Sequence, residues 1–196
     1  MALLVGSEPT ARILLDATSV GFVLSELSIR LRSALNRGGP SADRGSIVAV
    51  VVGVAAGVLL AVWSALAFTG LTIAGRWVPF GLGISMMWLG LALRQWSVRT
   101  LGRFFTVVVR VTEGQVVVDR GPYRWVRHPS YAGLLLTLVG LGLTLGSWLS
   151  VLALAVLPSA GLVVRIRVEE RALLAGLGEP YREYAERRRR LVPGIW

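Results

Sequence analysis

"YAGLLLTLVGLGLTLGSWLSVLALAVLPSAGLVV", Tyr131 to Val164, runs 34 residues without a charged side chain. At about 1.5 Å per residue one helix of that length would extend about 50 Å, whereas the hydrocarbon of a bilayer is about 30 Å thick. A single crossing does not use it. Two short helices turning near Gly146-Ser147 do, with Gly133, Gly140, Gly142 and Gly146 letting the pair approach closely and Pro158 kinking the second. The GxGxxxG spacing at Gly140 also invites a nucleotide-loop reading, but no strand precedes it, so helix packing is the better account.

Further apolar runs lie upstream. Ile47 to Phe68 is about 22 uncharged residues, matching the roughly 20 that a crossing needs. Val78 to Leu93 is a second run, bounded by Trp77 and Trp96 at the depths where aromatic belts form. Ala11 to Ile29 carries Asp16 and Glu26, each costly at a bilayer centre, so it either spans or lies at the interface. The whole chain of 196 residues is 54% hydrophobic, with a mean hydropathy of +0.65, too apolar for a surface bathed in water. The net charge of +10 comes with 21 basic residues, all of them arginine, and these fall between the apolar runs. That arrangement fits membrane topology rather than nucleic-acid binding. With no cysteine, disulfides, thiolate metal sites and cysteine nucleophiles are excluded, and a single histidine argues against a zinc site. The first residues lack the pattern of a cleaved signal peptide, so the first segment is expected to remain in the mature protein.

Arg30, Arg32, Arg37 and Arg44 separate the first two runs, whereas Arg76 alone separates the second from the third. Seven arginines from Arg94 to Arg127 follow the third run, none lies at the hairpin tip, and the tail is again arginine-rich. By the positive-inside rule the expected fold is an all-α integral membrane protein of five spans, with the N-terminus outside and the long loop and tail in the cytoplasm. It forms one domain, residues 1–196, with three spans in 1–93 and the functional region in 94–196.

All the polar chemistry then collects on one face. "GPYRWVRHPSYAG", Gly121 to Gly133, holds the only histidine and two of the four tyrosines. Before it, Val107 to Val118 is rich in β-branched residues and broken by Glu113-Gly114, which predicts a small hairpin. Gly121-Pro122 makes a turn, Pro129 suits the first turn of a helix, and His128 falls near its N-cap. Free amides there, beside Arg127 and His128, suit an anion such as an amino-acid carboxylate. Arg127, His128 and Tyr131 read equally as interfacial anchors. The second constellation is "RIRVEERALLAGLGEPYREYAERRRRLVP", Arg165 to Pro193. Glu169 and Glu170 follow Arg165 and Arg167 by about one helical turn, the spacing of i,i+3 and i,i+4 pairs. Gly178 caps that helix, and Pro180 opens another that carries Tyr181 and Tyr184. Arg187 to Arg190 read either as headgroup contacts or as site cations.

Taken in order, R-H-P-x-Y-x-G, E-E-x-x-L, L-G-x-x-Y-x-x-Y and R-L-x-P resemble the isoprenylcysteine carboxyl methyltransferase family and its bacterial relatives. There is a looser similarity to phospholipid N-methyltransferases. The resemblance runs from Leu93 to the C-terminus and includes "TLGRFFT". It implies an S-adenosylmethionine-dependent methyltransferase in the plasma membrane of a bacterium, with its cofactor pocket on the cytoplasmic face, formed by the 94–130 connection and the C-terminal helices. Cofactor binding is implied for Tyr123, Arg127, His128, Pro129, Tyr131, Gly133, Tyr181 and Tyr184, and catalysis for Glu169, Glu170, Arg187 and Arg190. The implied partners are the bilayer and a lipophilic small molecule or lipidated acceptor, with no nucleic acid and no metal. A carboxylate acceptor needs no base and gains from an orienting arginine, whereas an amine or thiol needs a proton taken up by Glu169 or Glu170. A phospholipid N-methyltransferase and a non-enzymatic membrane scaffold are the other readings.

The five-span topology has a direct check in this cysteine-free chain. Ala42→Cys and Arg76→Cys are expected to react with an impermeant thiol reagent from opposite sides of the membrane, and labelling from the same side refutes the arrangement.

Overall fold

In lipid every backbone amide must find its partner inside the same segment, so apolar runs of this length become helices. The computed structural model describes residues 8–36, 43, 45–67, 71–75, 77–112, 114–192 and 196. Phe68 of the second expected span, Glu113 of the expected hairpin, and Arg37, Ala42, Arg44 and Arg76 lie outside the described residues. Five long helices follow one another: α1 (Pro9–Leu35), α2 (Ser46–Ala67), α3 (Trp77–Leu101), α4 (Pro129–Thr144) and α5 (Trp148–Leu177). A short α6 (Glu179–Arg187) closes the chain, and single 3₁₀ turns occupy Gly102–Phe104 and Gly121–Arg124. Among the described residues three helices are long and apolar enough to cross a membrane, namely α2, α3 with its following turn, and α5, while α4 is apolar but shorter. Their outward residues, such as Val52, Leu59, Leu82, Leu89 and Leu152, are large, apolar and exposed. A surface of that kind belongs in lipid, and the protein is an integral membrane protein.

The helices pack side by side in the order α1, α3, α4, α5, α2. Glycine seams set two of these contacts. On α3, Gly83 and Gly90 face Gly140 and Gly133 of the antiparallel α4: a Cβ at Gly140 would lie 2.6 Å from the Gly83 carbonyl oxygen, and one at Gly133 would lie 2.7 Å from that of Gly90. Backbone therefore meets backbone along the α3–α4 contact, where dispersion replaces the hydrophobic drive that lipid cannot supply. On α2, a Cβ at Gly53 would lie 2.6 Å from the Leu157 carbonyl oxygen of α5, and one at Gly57 would lie 3.3 Å from the Pro158 ring. The α5 helix runs unbroken through Pro158.

The apolar run from Tyr131 does turn at Leu145–Ser147, where Gly146 adopts φ 66°. Of its glycines only Gly142 brings the hairpin together, with a Cβ position 2.7 Å from Val151 Cα. Gly133 and Gly140 serve α3 instead. The backbone amide of Ile73 donates to the Gly146 carbonyl at 2.9 Å, so the α2–α3 connection and the hairpin tip share one end of the bundle. At the other end Asn36, just past α1, donates to the Phe105 carbonyl at 2.7 Å. The starts of α2 and α4 lie there with the ends of α1, α3 and α5.

The expected hairpin within Val107–Val118 is absent: no strand forms among the described residues. At Val107 the backbone groups are taken by helices. The Val107 amide donates to Ser33 Oγ of α1 at 2.7 Å, the Val107 carbonyl accepts from Arg165 of α5, and Val111 packs against Gly176. The Gln115 amide donates to the Thr112 carbonyl at 3.0 Å.

Gly140→Val puts two methyl groups into backbone. It is expected to lower the melting temperature in detergent by about 3–10 °C, from an overpacking cost of about 1–3 kcal/mol. Gly81→Ala, where nothing lies within 4 Å, is expected to change it by less than about 2 °C.

Candidate active site

The extended residues Val126–His128 dock on the tail. The Arg127 amide donates to the Arg189 carbonyl at 2.8 Å and the His128 amide to that of Arg190 at 2.9 Å. His128 is the N-cap residue of α4 and Pro129 opens the helix, a position where proline loses no hydrogen bond. One turn in, Tyr131 stacks on His128 with ring centroids 5.6 Å apart.

The anion that Arg127 and His128 hold is the chain's own. Glu170, 7% exposed, forms an ion pair with Arg127 Nη1 at 2.9 Å and accepts from Arg190 Nε at 3.0 Å. Its Oε1 also lies 3.3 Å from His128 Nε2. One carboxylate thus ties α5, the start of α4 and the tail. Arg190 further covers the Trp196 ring, its guanidinium 5.4 Å from the centroid. Glu169 accepts from the Tyr131 hydroxyl at 2.7 Å, and the same oxygen lies 3.8 Å from His128 Nδ1.

Two more arginines are saturated by partners. Arg165, 2% exposed, donates from Nη1 to Asp43 at 2.6 Å and to Ser46 Oγ at 2.9 Å. It donates from Nη2 to the Val107 carbonyl and from Nε to the Tyr131 hydroxyl at 3.3 Å. Burial works to raise the Asp43 carboxyl, but hydrogen bonds from Ser46 and the Arg165 charge outweigh it and hold it below its ordinary value of 3.8. Arg94 donates to Glu26 of α1, at 2.9 Å from Nη2, and to Ser130 Oγ of α4 at 3.0 Å.

These groups wall a pocket at the polar end of the bundle. Arg127, Tyr131, Glu169 and Tyr181 line one side of it, and Ile47, Val50 and Leu134 line the membrane side. Three polar atoms of the lining are buried without a partner: Arg110 Nε, Arg127 Nε and Tyr181 Oη. By contrast the Tyr184 hydroxyl donates to the Tyr123 carbonyl at 2.7 Å. Burial, reinforced by the nearby carboxylates, pushes the phenols of Tyr123 (first Glu169), Tyr181 (first Glu170) and Tyr184 (Asp119) upward. All three stay neutral donors near pH 7.

The expected site residues separate accordingly. Tyr123, Arg127, His128, Tyr131, Glu169, Tyr181 and Tyr184 converge on the pocket, and Glu170 and Arg190 stand directly behind it. Pro129 is buried in the first turn of α4. Gly133 faces α3, where a Cβ would lie 2.9 Å from the Arg94 amide nitrogen. Arg187 is exposed at the end of α6 and is not brought to the pocket. Within the four-arginine run, Arg188 pairs with Asp119 at 3.2 Å and Arg189 is exposed. The i,i+4 pairing of Arg165 with Glu169 gives way to Asp43. Arg94 and Arg165 of the wall, with their partners Glu26 and Asp43, are the residues that sequence reasoning passed over. Their signal was a charge inside or beside an apolar run, which requires a partner.

Residues 83–175 match the sequence profile of the Isoprenylcysteine carboxyl methyltransferase (ICMT) family. That stretch, just under half of the chain, resembles the family. Protein-S-isoprenylcysteine O-methyltransferase B of Arabidopsis thaliana is 36% identical over 114 residues, 57% of this chain and 58% of that protein. The Saccharomyces cerevisiae protein-S-isoprenylcysteine O-methyltransferase is 33% identical over 105 residues, 53% of this chain and 44% of that protein. The chain therefore spans about half the length of the family's curated members that it matches. Among solved structures, the eukaryotic intramembrane Ras methyltransferase ICMT aligns with a TM-score of 0.62 at 26% identity, covering 74% of this chain and 52% of that one. The family match takes in α4 and nearly all of α3 and α5, and leaves α1 and α2 outside.

The two tyrosines of α6 are expected to behave differently in the unliganded protein. Tyr184→Phe leaves the Tyr123 carbonyl unsatisfied and costs about 1–3 kcal/mol, or about 2–10 °C of melting temperature. Tyr181→Phe removes a hydroxyl that already lacks a partner, so the melting temperature should stay level or rise.

Proposed function

We propose that the protein transfers a methyl group from S-adenosylmethionine to the carboxylate of a lipophilic or lipidated acceptor, as in isoprenylcysteine carboxyl methylation. The observation that carries this reading is a pocket with two unsatisfied guanidinium nitrogens and a phenol in its lining and aliphatic side chains on its membrane wall. Such a site joins a charged, water-soluble donor to an acceptor that arrives from lipid. When bound, S-adenosylmethionine supplies an electrophilic methyl group on a sulfonium centre. The residues present fit it, since Arg127 Nε and Tyr181 Oη offer two buried donors with nothing yet to donate to. Arg127 would hold a carboxylate, Tyr181 would donate beside it, and His128 and Tyr131 would form the stacked floor. Ile47, Val50 and Leu134 would take the lipid portion and keep water out. With a carboxylate acceptor no proton has to be removed, so the protein's contribution is positioning and exclusion of water. Glu170, bound by Arg127, His128 and Arg190, would orient those groups, and Arg190 would serve the site rather than Arg187.

The same reading makes residues 1–196 one working domain with five crossings, α1 and the shorter α4 included. The arginine-rich end then faces the cytoplasm of a bacterial cell across its inner membrane.

S-adenosylhomocysteine at 100 times its dissociation constant is expected to stabilise the purified protein by about 2.7 kcal/mol, a rise of about 5–11 °C in melting temperature. Tyr181→Phe, His128→Ala and Tyr131→Phe should each reduce that rise. No shift with millimolar ligand removes the reading's main support. With labelled S-adenosylmethionine, methyl esters should form on an S-farnesylcysteine derivative and not on phosphatidylethanolamine vesicles. The opposite selectivity would favour phospholipid N-methylation.

A further inference from the structure

Asp43 lies on the connection between α1 and α2, outside the region that matches the family. Its partner Arg165 lies 122 residues away on α5. On α5 itself Arg165 has a nearer carboxylate, because Glu169 follows it by four residues, the spacing at which oppositely charged helix side chains meet. In the structure that pair does not form. Asp43 and Ser46 take Arg165 Nη1, the Val107 carbonyl takes Nη2, and Nε donates to the Tyr131 hydroxyl at 3.3 Å. A guanidinium only donates, so the Tyr131 oxygen must accept there, and its single proton goes to Glu169 Oε2 at 2.7 Å. Glu169 Oε1 has no hydrogen bond among the described residues, and Glu169 lines the pocket.

We propose that Asp43 is a positioning residue: by occupying Arg165 it keeps that guanidinium from neutralising Glu169, so that Tyr131 holds Glu169 with one carboxylate oxygen directed into the pocket. The proposal rests on the methyltransferase reading for what Glu169 does there. It does not rest on it for where Glu169 points. Without Asp43 a buried guanidinium is left unpaired, a state costly enough to recruit the nearest carboxylate. Glu169 is that carboxylate, and its charge would pass from the pocket to Arg165. An aspartate outside the family match thus governs a glutamate inside it.

The test compares Asp43→Asn, Glu169→Gln and the double variant in the full-length protein. Turnover is measured with S-adenosylmethionine and N-acetyl-S-farnesylcysteine, with S-adenosylhomocysteine affinity and melting temperature alongside. Asp43→Asn is expected to lower kcat about tenfold while KM and S-adenosylhomocysteine affinity stay within about threefold, and Asp43→Glu to recover most of the loss. In the Glu169→Gln background Asp43→Asn should lower kcat by less than about twofold, since no carboxylate remains to be drawn away. The same loss in both backgrounds would mark Asp43 as merely structural and overturn the proposal. Turnover of Glu169→Gln equal to wild type would overturn it as well. Should Asp43→Asn not fold, Ser46→Ala weakens the same anchor and is expected to lower kcat about threefold, again only where Glu169 is present.

A readout without turnover separates this proposal from the functional reading. Glu169→Gln should cost at least about 3 °C more in the Asp43→Asn or Ser46→Ala background than in wild type, because there Glu169 has become the partner of Arg165. Equal cost in both backgrounds overturns the proposal. Absence of methyl transfer and of S-adenosylhomocysteine binding in wild type overturns the functional reading instead.

Discussion

A guanidinium placed among apolar helices must keep a carboxylate beside it, and the architecture of the polar end follows from that requirement. Arg165 binds α5 to the start of α2 through Asp43 and Ser46, to the long connection through Val107, and to α4 through Tyr131. Arg94 binds α3 to α1 through Glu26 and to α4 through Ser130. Removing one partner of a buried pair costs about 3–5 kcal/mol, because the other charge is stranded in a low dielectric. The glycine seams set how closely the helices approach. The two arginines set how each helix is rotated and which residues reach the pocket.

Saturation also decides which cations are available for chemistry. Arg94 and Arg165 line the pocket, yet each of their nitrogens already donates to a partner in the protein. Arg190 is divided between Glu170 and the Trp196 ring. Arg110 and Arg127 keep Nε buried and unmatched, and with Tyr181 they give the pocket its open donors. A buried donor without an acceptor costs about 1–3 kcal/mol. Retaining three in one pocket is the signature of a place that a ligand completes. The tail contributes by closing over this wall, its backbone paired with Arg127 and His128 and its Arg190 bound to Glu170.

The region matching the family begins within α3 and ends near the close of α5. It contains Arg94, Arg165, Tyr131, Glu169 and Glu170. The carboxylates that neutralise its two saturated arginines, Glu26 and Asp43, come from before it. The first two helices are therefore joined to the site by charge as well as by packing.

From the sequence alone, the apolar runs, their lengths and the glycines and prolines at their ends determine the helices and the hairpin turn at Gly146, because backbone in lipid has few alternatives. The polar residues that gather at one end are legible for the same reason, since charges stay out of apolar runs unless something holds them. Only the tertiary structure decided which charge meets which. Glu169 and Glu170 are neighbours in the chain, but the helix turns about 100° between them, so one faces Tyr131 and the other faces Arg127, His128 and Arg190. Arg165 has Glu169 at helical spacing and is claimed by Asp43 from another segment. Gly133 and Gly140 could serve either neighbour of α4 and serve α3. The valines of 107–118 have strand character, yet Ser33, Arg165 and Gly176 arrive first. Local spacing measures reach along one element, whereas burial makes every charge and backbone group compete for partners across all of them.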